Sequence, residues 1–231
     1  MKKIEILPGC SSFYNKQWGD IFYPVDLPTK DWFAYYAERV NTYELNATFY
    51  KFPTTKSLQS WYKKSPDGFV FSVKAPKLIT HIKKFLDCER EINEFYVACR
   101  DGLNEKLGCV LFQLPPSFHY SRERLDLIIS NVNPQFQNVI EFRNESWWTQ
   151  EVYKAFIKNK MIFCSVNYPG LPTTIIETTS TGYIRLHGNP QLFYSEYSSE
   201  ELSKMCDEIH ATKKLKKSSF ILIILQVRQA Y

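Results

Sequence analysis

Residues Cys109-Val110-Leu111-Phe112-Gln113-Leu114 form a short apolar run, and Pro115-Pro116 follows it directly. The length of this run and its aromatic and β-branched content predict a β-strand. A helix pattern begins after Cys88 and ends before Gly108, a residue type that is common just beyond a helix. The segment therefore has the helix-then-strand order of an α/β protein.

The same alternation extends along the chain in both directions. Ser121 suits an N-cap for the next helix, and Pro134 follows that helix. Strands that alternate with helices imply parallel pairing through right-handed crossovers, and about eight strands predict a TIM-like (β/α)8 barrel. An open doubly wound sheet is the alternative. The predicted strands are Ile4–Leu7, Thr42–Leu45, Phe69–Val73, Cys109–Leu114, Val139–Phe142, Phe163–Val166, Tyr183–Leu186 and Phe220–Leu225.

The barrel is expected to be irregular after its sixth strand. Residues 168–182 hold two prolines, two glycines and many threonines, so a loop is expected in place of the helix. No linker, low-complexity tract or internal repeat divides the 231 residues. Residues 1–231 are therefore predicted to form a single domain.

Composition restricts the class of protein. The longest apolar run, Phe220–Leu225, is far shorter than the roughly 20 residues of a membrane-spanning helix, and Glu5 and Pro8 interrupt any signal-peptide pattern. Six cysteines are scattered without a C-x-x-C pair, so they are expected to be reduced packing residues. The protein is therefore expected to be cytoplasmic, with no membrane partner.

Polar residues keep to one face of each predicted strand, since alternate residues of a strand point to opposite faces. In a barrel the apolar face packs on the helices, so the polar face is expected inside, at the carboxyl ends where barrel active sites lie. The polar residues are Glu44 and Asn46, Ser72 and Lys74, Gln113, Glu141 and Arg143, Ser165 and Asn167, and Arg185 and His187.

The charges on this face are not balanced. Buried carboxylates need partners, so Glu44 and Glu141 are expected to pair with members of the set Lys74, Arg143 and Arg185. This count leaves one cation over. A ligand site explains the surplus, and an ion-pair network that only closes the barrel is the alternative.

The sequence resembles the YecE-like family, known as domain of unknown function 72, over nearly the whole chain. The resemblance implies a TIM-like barrel, but the family has no established activity. The motifs that carry it are Gly9-Cys10-Ser11-Ser12 with Trp18 and Phe22-Tyr23-Pro24, Glu44-Leu45-Asn46-Ala47-Thr48-Phe49-Tyr50, Phe71-Ser72-Val73-Lys74-Ala75-Pro76 with Thr80-His81, Leu111-Phe112-Gln113-Leu114-Pro115-Pro116, Glu141-Phe142-Arg143 with Ser146-Trp147, and Arg185-Leu186-His187-Gly188. The site residues it implies are Glu44, Asn46, Lys74, His81, Gln113, Glu141, Arg143, Trp147, Arg185 and His187. Asn167 stands where relatives often carry an acid.

The carboxyl end departs from the family pattern, which has an aromatic-Phe-Asn-Asn strand end and then a closing helix. Residues 220–231 can be back-translated so that the adjacent reading frame encodes Tyr-Phe-Asn-Asn-Thr-Ala-Gly-Lys-Ala. A frameshift near Phe220 is therefore our hypothesis, and a genuine short final strand is the alternative. Loss of the closing helix is expected to leave apolar surface that a dimer would cover.

The candidate residues favour an enzyme, a hydrolase or lyase, whose partner is a small ligand with a phosphate or carboxylate group. In this hypothesis Lys74, Arg143 and Arg185 hold the anion, Glu44 or Glu141 is the general base, and His81 or His187 is the acid. The remaining binding residues are Asn46, Gln113, Trp147, Asn167 and Tyr197.

Two alternatives remain open, and the sequence names no cofactor. A metal-dependent phosphoesterase or nuclease-like barrel would bind zinc or manganese through His81, His187, Glu44 and Glu141, but the spacing of these residues is not diagnostic, so no metal ligand is assigned. A nucleic-acid-binding module would stack bases on exposed aromatic side chains. Those side chains are Trp18, Trp147, Trp148, Tyr194 and Tyr197.

Overall fold

The structure, a computed structural model, describes residues 4–188, 190–192 and 197–222. Parallel strands alternate with helices in this part of the chain. The strands are β1 (Glu5–Cys10), β2 (Thr42–Leu45), β3 (Val70–Lys74), β4 (Leu107–Gln113), β5 (Gln137–Glu141), β6 (Ile162–Phe163), β7 (Ser165–Asn167), β8 (Thr181–Leu186) and β9 (Lys217–Leu222). The helices are α1 (Trp32–Arg39), α2 (Ala47–Tyr50), α3 (Thr55–Lys64), α4 (Glu89–Leu103), α5 (Arg122–Asn131), α6 (Gln150–Lys158) and α7 (Ser199–Ala211).

All named strands pair in parallel within one sheet. β1 to β6 lie side by side in chain order and form a curled half-barrel, and β9, β8 and β7 continue the sheet from the other side of β1. The outermost strands of this order, β6 and β7, are separated along the chain only by Cys164. The fold is therefore α/β and TIM-like.

The described structure departs from the predicted elements at the sixth and last strands. The predicted strand Phe163–Val166 is divided at Cys164, because its first part pairs with β5 and its second part pairs with β8. The last strand begins at Lys217 rather than Phe220. Residues 223–231 lie outside the described residues, so the frameshift and the missing closing helix stay predictions.

The local signals that the sequence gives for helices are present in the structure. The Thr54 side chain accepts a hydrogen bond from the Ser57 amide and caps α3, and Ser121 caps α5 in the same way. Residues 168–180 contain no helix, as their proline, glycine and threonine content indicates. The chain therefore passes from β7 to β8 through a loop.

Alternate residues of β4 belong to two different hydrophobic cores. Val110 and Phe112 pack in the layer between the sheet and the helices. Cys109 and Leu111 face the opposite way and join a smaller cluster inside the curled sheet. The other buried members of this inner cluster are Val139, Ile162, Cys164, Val166 and Tyr183.

Two expectations from composition can be compared with the described residues. All six cysteines are free, and Cys88, Cys99, Cys109 and Cys164 are buried as packing residues. None of the helices described here has the length and apolarity needed to cross a bilayer.

β1 and β2 pack closely together at Gly9, which pairs with Thr42. A Cβ atom at this position would lie 2.5 Å from the carbonyl oxygen of Thr42, which also accepts a hydrogen bond of 2.8 Å from the Tyr36 hydroxyl. We expect Gly9→Ala to lower the free energy of unfolding by about 1–3 kcal/mol in urea denaturation, because backbone atoms must move. Gly19→Ala is the control, since its nearest atom would be the Lys16 carbonyl oxygen at 3.3 Å. Equal losses in the two variants would contradict the close approach.

Candidate functional site

A buried ion-pair network lies inside the sheet at the carboxyl ends of β2, β5 and β8. Arg185 donates one hydrogen bond to Glu44, from Nη2 to Oε1 at 2.6 Å, and another to Glu141. The Tyr183 hydroxyl donates to the second oxygen of Glu44 at 2.8 Å. Each of these four residues has at most 1% of its surface exposed. The two carboxylates therefore share one internal cation.

Arg143 extends this network beyond the end of β5. Its Nη2 lies 2.6 Å from Glu141 Oε1 and 3.0 Å from His187 Nε2, which is itself 3.2 Å from the same carboxylate oxygen. Because a guanidinium group only donates and a carboxylate only accepts, His187 Nε2 accepts from Arg143 in one tautomer and donates to Glu141 in the other. Burial lowers the pKa of His187 to about 3, although Glu141 acts in the opposite direction. His187 is therefore neutral at physiological pH.

The network does not support the general-base role that the sequence suggested for Glu44 or Glu141. Burial alone would raise the pKa of Glu141, but the charges of Arg143 and Arg185 hold it well below its usual range. Glu44 has one oxygen on Arg185 and the other on Tyr183. Both carboxylates are therefore committed to internal hydrogen bonds.

Lys74, at the end of β3, is the surplus cation of this cluster. In the described part of the chain its Nζ has neither a carboxylate nor another hydrogen-bond acceptor, and it lies 4.5 Å from the centroid of the Phe49 ring. Burial lowers the pKa of Lys74 to about 8, and Arg185 adds to this effect while Glu141 opposes it. A substantial fraction of neutral amine is therefore present slightly above neutral pH.

His81 lies near Lys74 on a π-helical turn, Leu78–Ile82, that follows β3. Its ring meets the Phe49 ring edge-to-face at 4.9 Å, so Phe49 contacts both His81 and Lys74. Burial lowers the pKa of His81 to about 4, and the charges of Lys74 and Arg143 add to this shift. His81 therefore offers a second neutral imidazole.

The chain after this π-helical turn is strained. Lys84, Phe85 and Asp87 have φ angles of 50°, 68° and 45°, a region that favours glycine, and Phe85 is fully buried. π-helical turns and strained backbone are both concentrated at functional sites. The segment therefore supports a functional role for the surface that surrounds His81.

Three aromatic residues of this region were not selected from the sequence. Tyr168 lies under the Arg143 guanidinium, with 4.2 Å from Cζ to the ring centroid, and its ring meets His187 edge-to-face. Phe49 contacts Lys74, and Tyr183 contacts Glu44, as described above. The sequence did contain a signal for Tyr183, because it lies two residues before Arg185 in the same strand and therefore faces the same way. A tyrosine in an apolar strand is, however, usually interpreted as a core residue.

Asn46 and Gln113 lie at or just after the ends of β2 and β4. The Asn46 Oδ1 atom is buried and has no hydrogen-bond partner among the described residues. Gln113 pairs in register with Glu141 and donates to the carbonyl oxygen of Leu114 at 3.0 Å. Both amides are therefore placed at the same edge of the sheet as the charged network.

Trp147, which the sequence placed in the site, lies instead in the layer between the sheet and the helices. It is fully buried, it stacks on Phe142 at 4.0 Å, and its indole N–H donates to the carbonyl oxygen of Phe118 at 2.7 Å. These contacts hold the segment that follows β5. Trp147 is therefore a packing residue in this structure.

Asn167 and Tyr197 also lie outside the charged cluster, because the parity of the sixth strand is the reverse of the expected one. Val166 pairs with Arg185 and belongs to the inner cluster, so Asn167 faces outward. The Tyr197 hydroxyl donates to Asn167 Oδ1 at 2.7 Å and accepts from the Gly188 amide. This pair joins the end of the sheet to the segment before α7.

Two surface cavities lie away from the charged cluster. One, of about 360 Å³, is lined by residues at the amino ends of β5, β6 and β8, including Gln137, Ile162 and Thr181. The other, of about 220 Å³, lies between β7, β8 and α7 and includes Asn167. Neither includes Lys74. The candidate site is therefore not one of these two cavities. What distinguishes the surface around Lys74 is its charged side chains and the strained backbone nearby.

The metal-dependent alternative lacks a suitable set of ligands. No group of three or more His, Cys, Asp or Glu side chains is arranged to hold a metal ion among the described residues. Glu44 and Glu141 accept hydrogen bonds from Arg185, and a cation beside them would be repelled by its charge. The geometry therefore does not favour His81, His187, Glu44 and Glu141 as metal ligands.

A curled parallel sheet with buried charges at its carboxyl edge defines this chain as an α/β protein of the TIM-like class. The family model for "Protein of unknown function DUF72" matches residues 7–229, and the chain belongs to this family. This agrees with the resemblance seen in the sequence motifs. Membership in the family shows no activity or substrate.

Similar proteins support the fold. A DUF72 family protein from Thermotoga maritima MSB8 is 25% identical and superposes with a TM-score of 0.83, over 95% of this chain and 92% of that one. A DUF72 family protein from Enterococcus faecalis V583 is 19% identical, with a TM-score of 0.75 over 98% and 93% of the two chains. The UPF0759 protein YunF of Bacillus subtilis (strain 168) is 29% identical over 146 residues, which are 59% of this chain. The chain spans about half, 52%, of the length of this relative.

Removal of the shared cation should destabilise the fold. Arg185→Gln leaves Glu44 and Glu141 buried without it, so we expect a loss of about 3–5 kcal/mol of unfolding free energy in denaturant titrations. Arg122→Gln is the matched control, because Arg122 pairs with its carboxylates at the exposed surface and should cost less than about 1 kcal/mol. Similar small losses in both variants would show that the network does not support the fold.

His187 should make the protein less stable in acid. Its pKa of about 3 in the folded chain lies below the ordinary value, so the unfolded chain binds a proton first as the pH falls. The contribution of His187 to the free energy of unfolding should be fully present above pH ~6.5, and the free energy of unfolding should be about 2 kcal/mol lower by pH ~5. His187→Gln keeps an acceptor for Arg143 but cannot titrate, so unfolding curves across this range should show a smaller decline. The exposed His210→Gln change is the control, and it should leave the decline intact.

Proposed function

We propose that the carboxyl edge of the sheet binds a small ligand with a carboxylate or phosphate group, and that the protein is an enzyme of the hydrolase or lyase type. The observation that carries this proposal is the surplus positive charge of Lys74. Glu44 and Glu141 balance Arg185 and Arg143, so Lys74 has no counter-charge among the described residues. An anionic ligand would supply it.

The groups around Lys74 suit the binding of such a ligand. Arg143 Nε is buried without a hydrogen-bond partner among the described residues, as is Asn46 Oδ1. The neutral imidazole of His81 can donate or accept a hydrogen bond to an uncharged part of the ligand. Charged, amide and imidazole groups thus lie at one edge, which is the arrangement of many enzyme sites.

We infer further that the sheet closes into a (β/α)8 barrel and that residues 1–231 form one domain. β6 and β7 are the two ends of the strand order, and only Cys164 separates them in the chain. If they act as one strand, β5 and β8 lie on either side of it. This closure would bring Lys74 and Arg143 to one barrel mouth, where TIM-like enzymes carry their active sites.

The nucleic-acid alternative has less support. It needs exposed aromatic rings that can stack on bases, but Trp18 and Trp147 are buried, and Tyr197 is held by Asn167. Tyr194 lies outside the described residues. A small ligand is therefore the better proposal for this surface.

The proposal is tested by anion binding to Lys74→Gln. Calorimetric titration at pH ~7 with inorganic phosphate and with acetate should show binding to the wild-type chain. Loss of a charge-assisted contact typically costs about 1.5–3 kcal/mol, so the variant should bind roughly tenfold to a hundredfold more weakly. Lys77→Gln, an exposed change three residues further on, should bind as the wild type does. Unchanged affinity in Lys74→Gln would refute the role of this cation.

A further inference from the structure

We propose that the Lys74 amine is a nucleophile that forms a Schiff base with a small aldehyde or ketone carrying a carboxylate or phosphate group. This inference rests on the proposed function and deepens it by naming the substrate class. It follows from the position of Nζ at the carboxyl end of β3, without a carboxylate and beside an imidazole.

Another lysine of the same chain shows what a structural role looks like. Lys106 is buried, and its Nζ donates to the carbonyl oxygens of Tyr62 and Ser65 and to the Ser65 hydroxyl at 2.8–3.0 Å. These three bonds satisfy an ammonium group completely. Lys74 Nζ has only the face of the Phe49 ring among the described residues. Nothing in the described structure therefore requires Lys74 to stay protonated.

The surroundings of Lys74 favour the neutral amine. Burial is the main effect that lowers the pKa of Lys74 to about 8, and the charges of Arg185 and Arg143 act in the same direction. The carboxylates of Glu141 and Glu44 oppose the shift, but both are hydrogen-bonded to Arg185 and neither pairs with Lys74. His81 is neutral in this range, so it does not add a fixed charge. Lysines activated in this way are common nucleophiles toward carbonyl groups.

The reaction needs no oxidant or reductant. The nitrogen lone pair attacks the carbonyl carbon, a C–N bond forms, and the carbonyl π electrons move to oxygen. His81 relays a proton from nitrogen to this oxygen, and the hydroxyl group then leaves as water when a second proton is supplied. The product is an iminium ion, so the amine, the carbonyl compound and one proton become the iminium ion and water.

The iminium ion also explains why an anionic substrate suits the site. The free amine is neutral, but the iminium nitrogen carries a positive charge at the same place. Near pH 7 the protonated Lys74 and Arg143 attract the carboxylate or phosphate of the substrate, the neutral fraction of Lys74 reacts, and the iminium ion keeps a positive charge at the same place afterwards. The substrate class is therefore a carbonyl compound with an anionic group, such as a 2-oxo acid.

Borohydride trapping tests this inference on the full chain. The protein is incubated with glyoxylate or pyruvate as probes, treated with sodium cyanoborohydride, digested, and mapped by mass spectrometry. We expect reductive alkylation at Lys74 to exceed that at the exposed Lys77 by at least about tenfold, because its neutral fraction is larger near pH 7. Trapping should rise between pH ~7 and ~9. Acetone, which lacks the anionic group, should give much less adduct at Lys74.

The variant Lys74→Arg separates this inference from the proposed function. It keeps a cation but removes the nucleophilic amine, so it should still bind phosphate while giving no adduct at position 74. Circular dichroism confirms that it folds. If the wild-type chain binds phosphate through Lys74 but shows no preferred adduct there, the Schiff base is refuted and the proposed function stands. If neither phosphate binding nor the adduct is found, both fail. Equal modification of Lys74 and surface lysines would also overturn the inference.

Discussion

The two hydrogen bonds that Arg185 donates to Glu44 and Glu141 constrain the rest of the structure. Two carboxylates inside a sheet are stable only with an internal cation, and the forked guanidinium group of one arginine serves both. The residues come from β8, β2 and β5, so the contact fixes the register of three strands at once. A shift of any one strand by a single residue would turn its charge toward the helices and leave a partner unpaired.

This constraint separates the polar residues into two layers with different chemistry. The lower layer, formed by Glu44, Glu141, Tyr183 and Arg185, is fully buried, and its two carboxylates are balanced by Arg185 within the layer and by Arg143 above it. Each of the four carboxylate oxygens already accepts a hydrogen bond inside the protein. The upper layer contains Lys74, His81 and Arg143, which are partly exposed, and strained backbone follows the turn that carries His81. Groups that react must exchange hydrogen-bond partners during a reaction, so we expect the reactive groups in the upper layer. The ion pairs of the lower layer fix the strands that carry these groups.

The sequence predicts the fold and most of the lower layer for a clear physical reason. A charged residue in an apolar strand, such as Glu141 or Arg185, can only point to an interior that contains its partner, so parity alone places it. Parity fails at the sixth strand because Cys164 and Val166 are apolar enough to fill the inner core, while Ser165 accepts a hydrogen bond from the Ile176 amide outside it. The motif around Trp147 gave no information on which side of the sheet its ring lies. Charge counting shows that one cation is left over, but only distances identify it as Lys74.

Lys74 gains no hydrogen bond from the described part of the fold. The buried Lys106 needs such bonds and has three acceptors, whereas Lys74 is only partly buried and its Nζ is not among the buried atoms that lack a partner. Replacement of Lys74 by an apolar side chain of similar length would remove a desolvation cost and keep the contact with Phe49. A chain that retains the amine there carries a cost to its own stability. Costs of this kind are typical of residues that act on a ligand, because the same desolvation that destabilises the ammonium group makes the amine reactive.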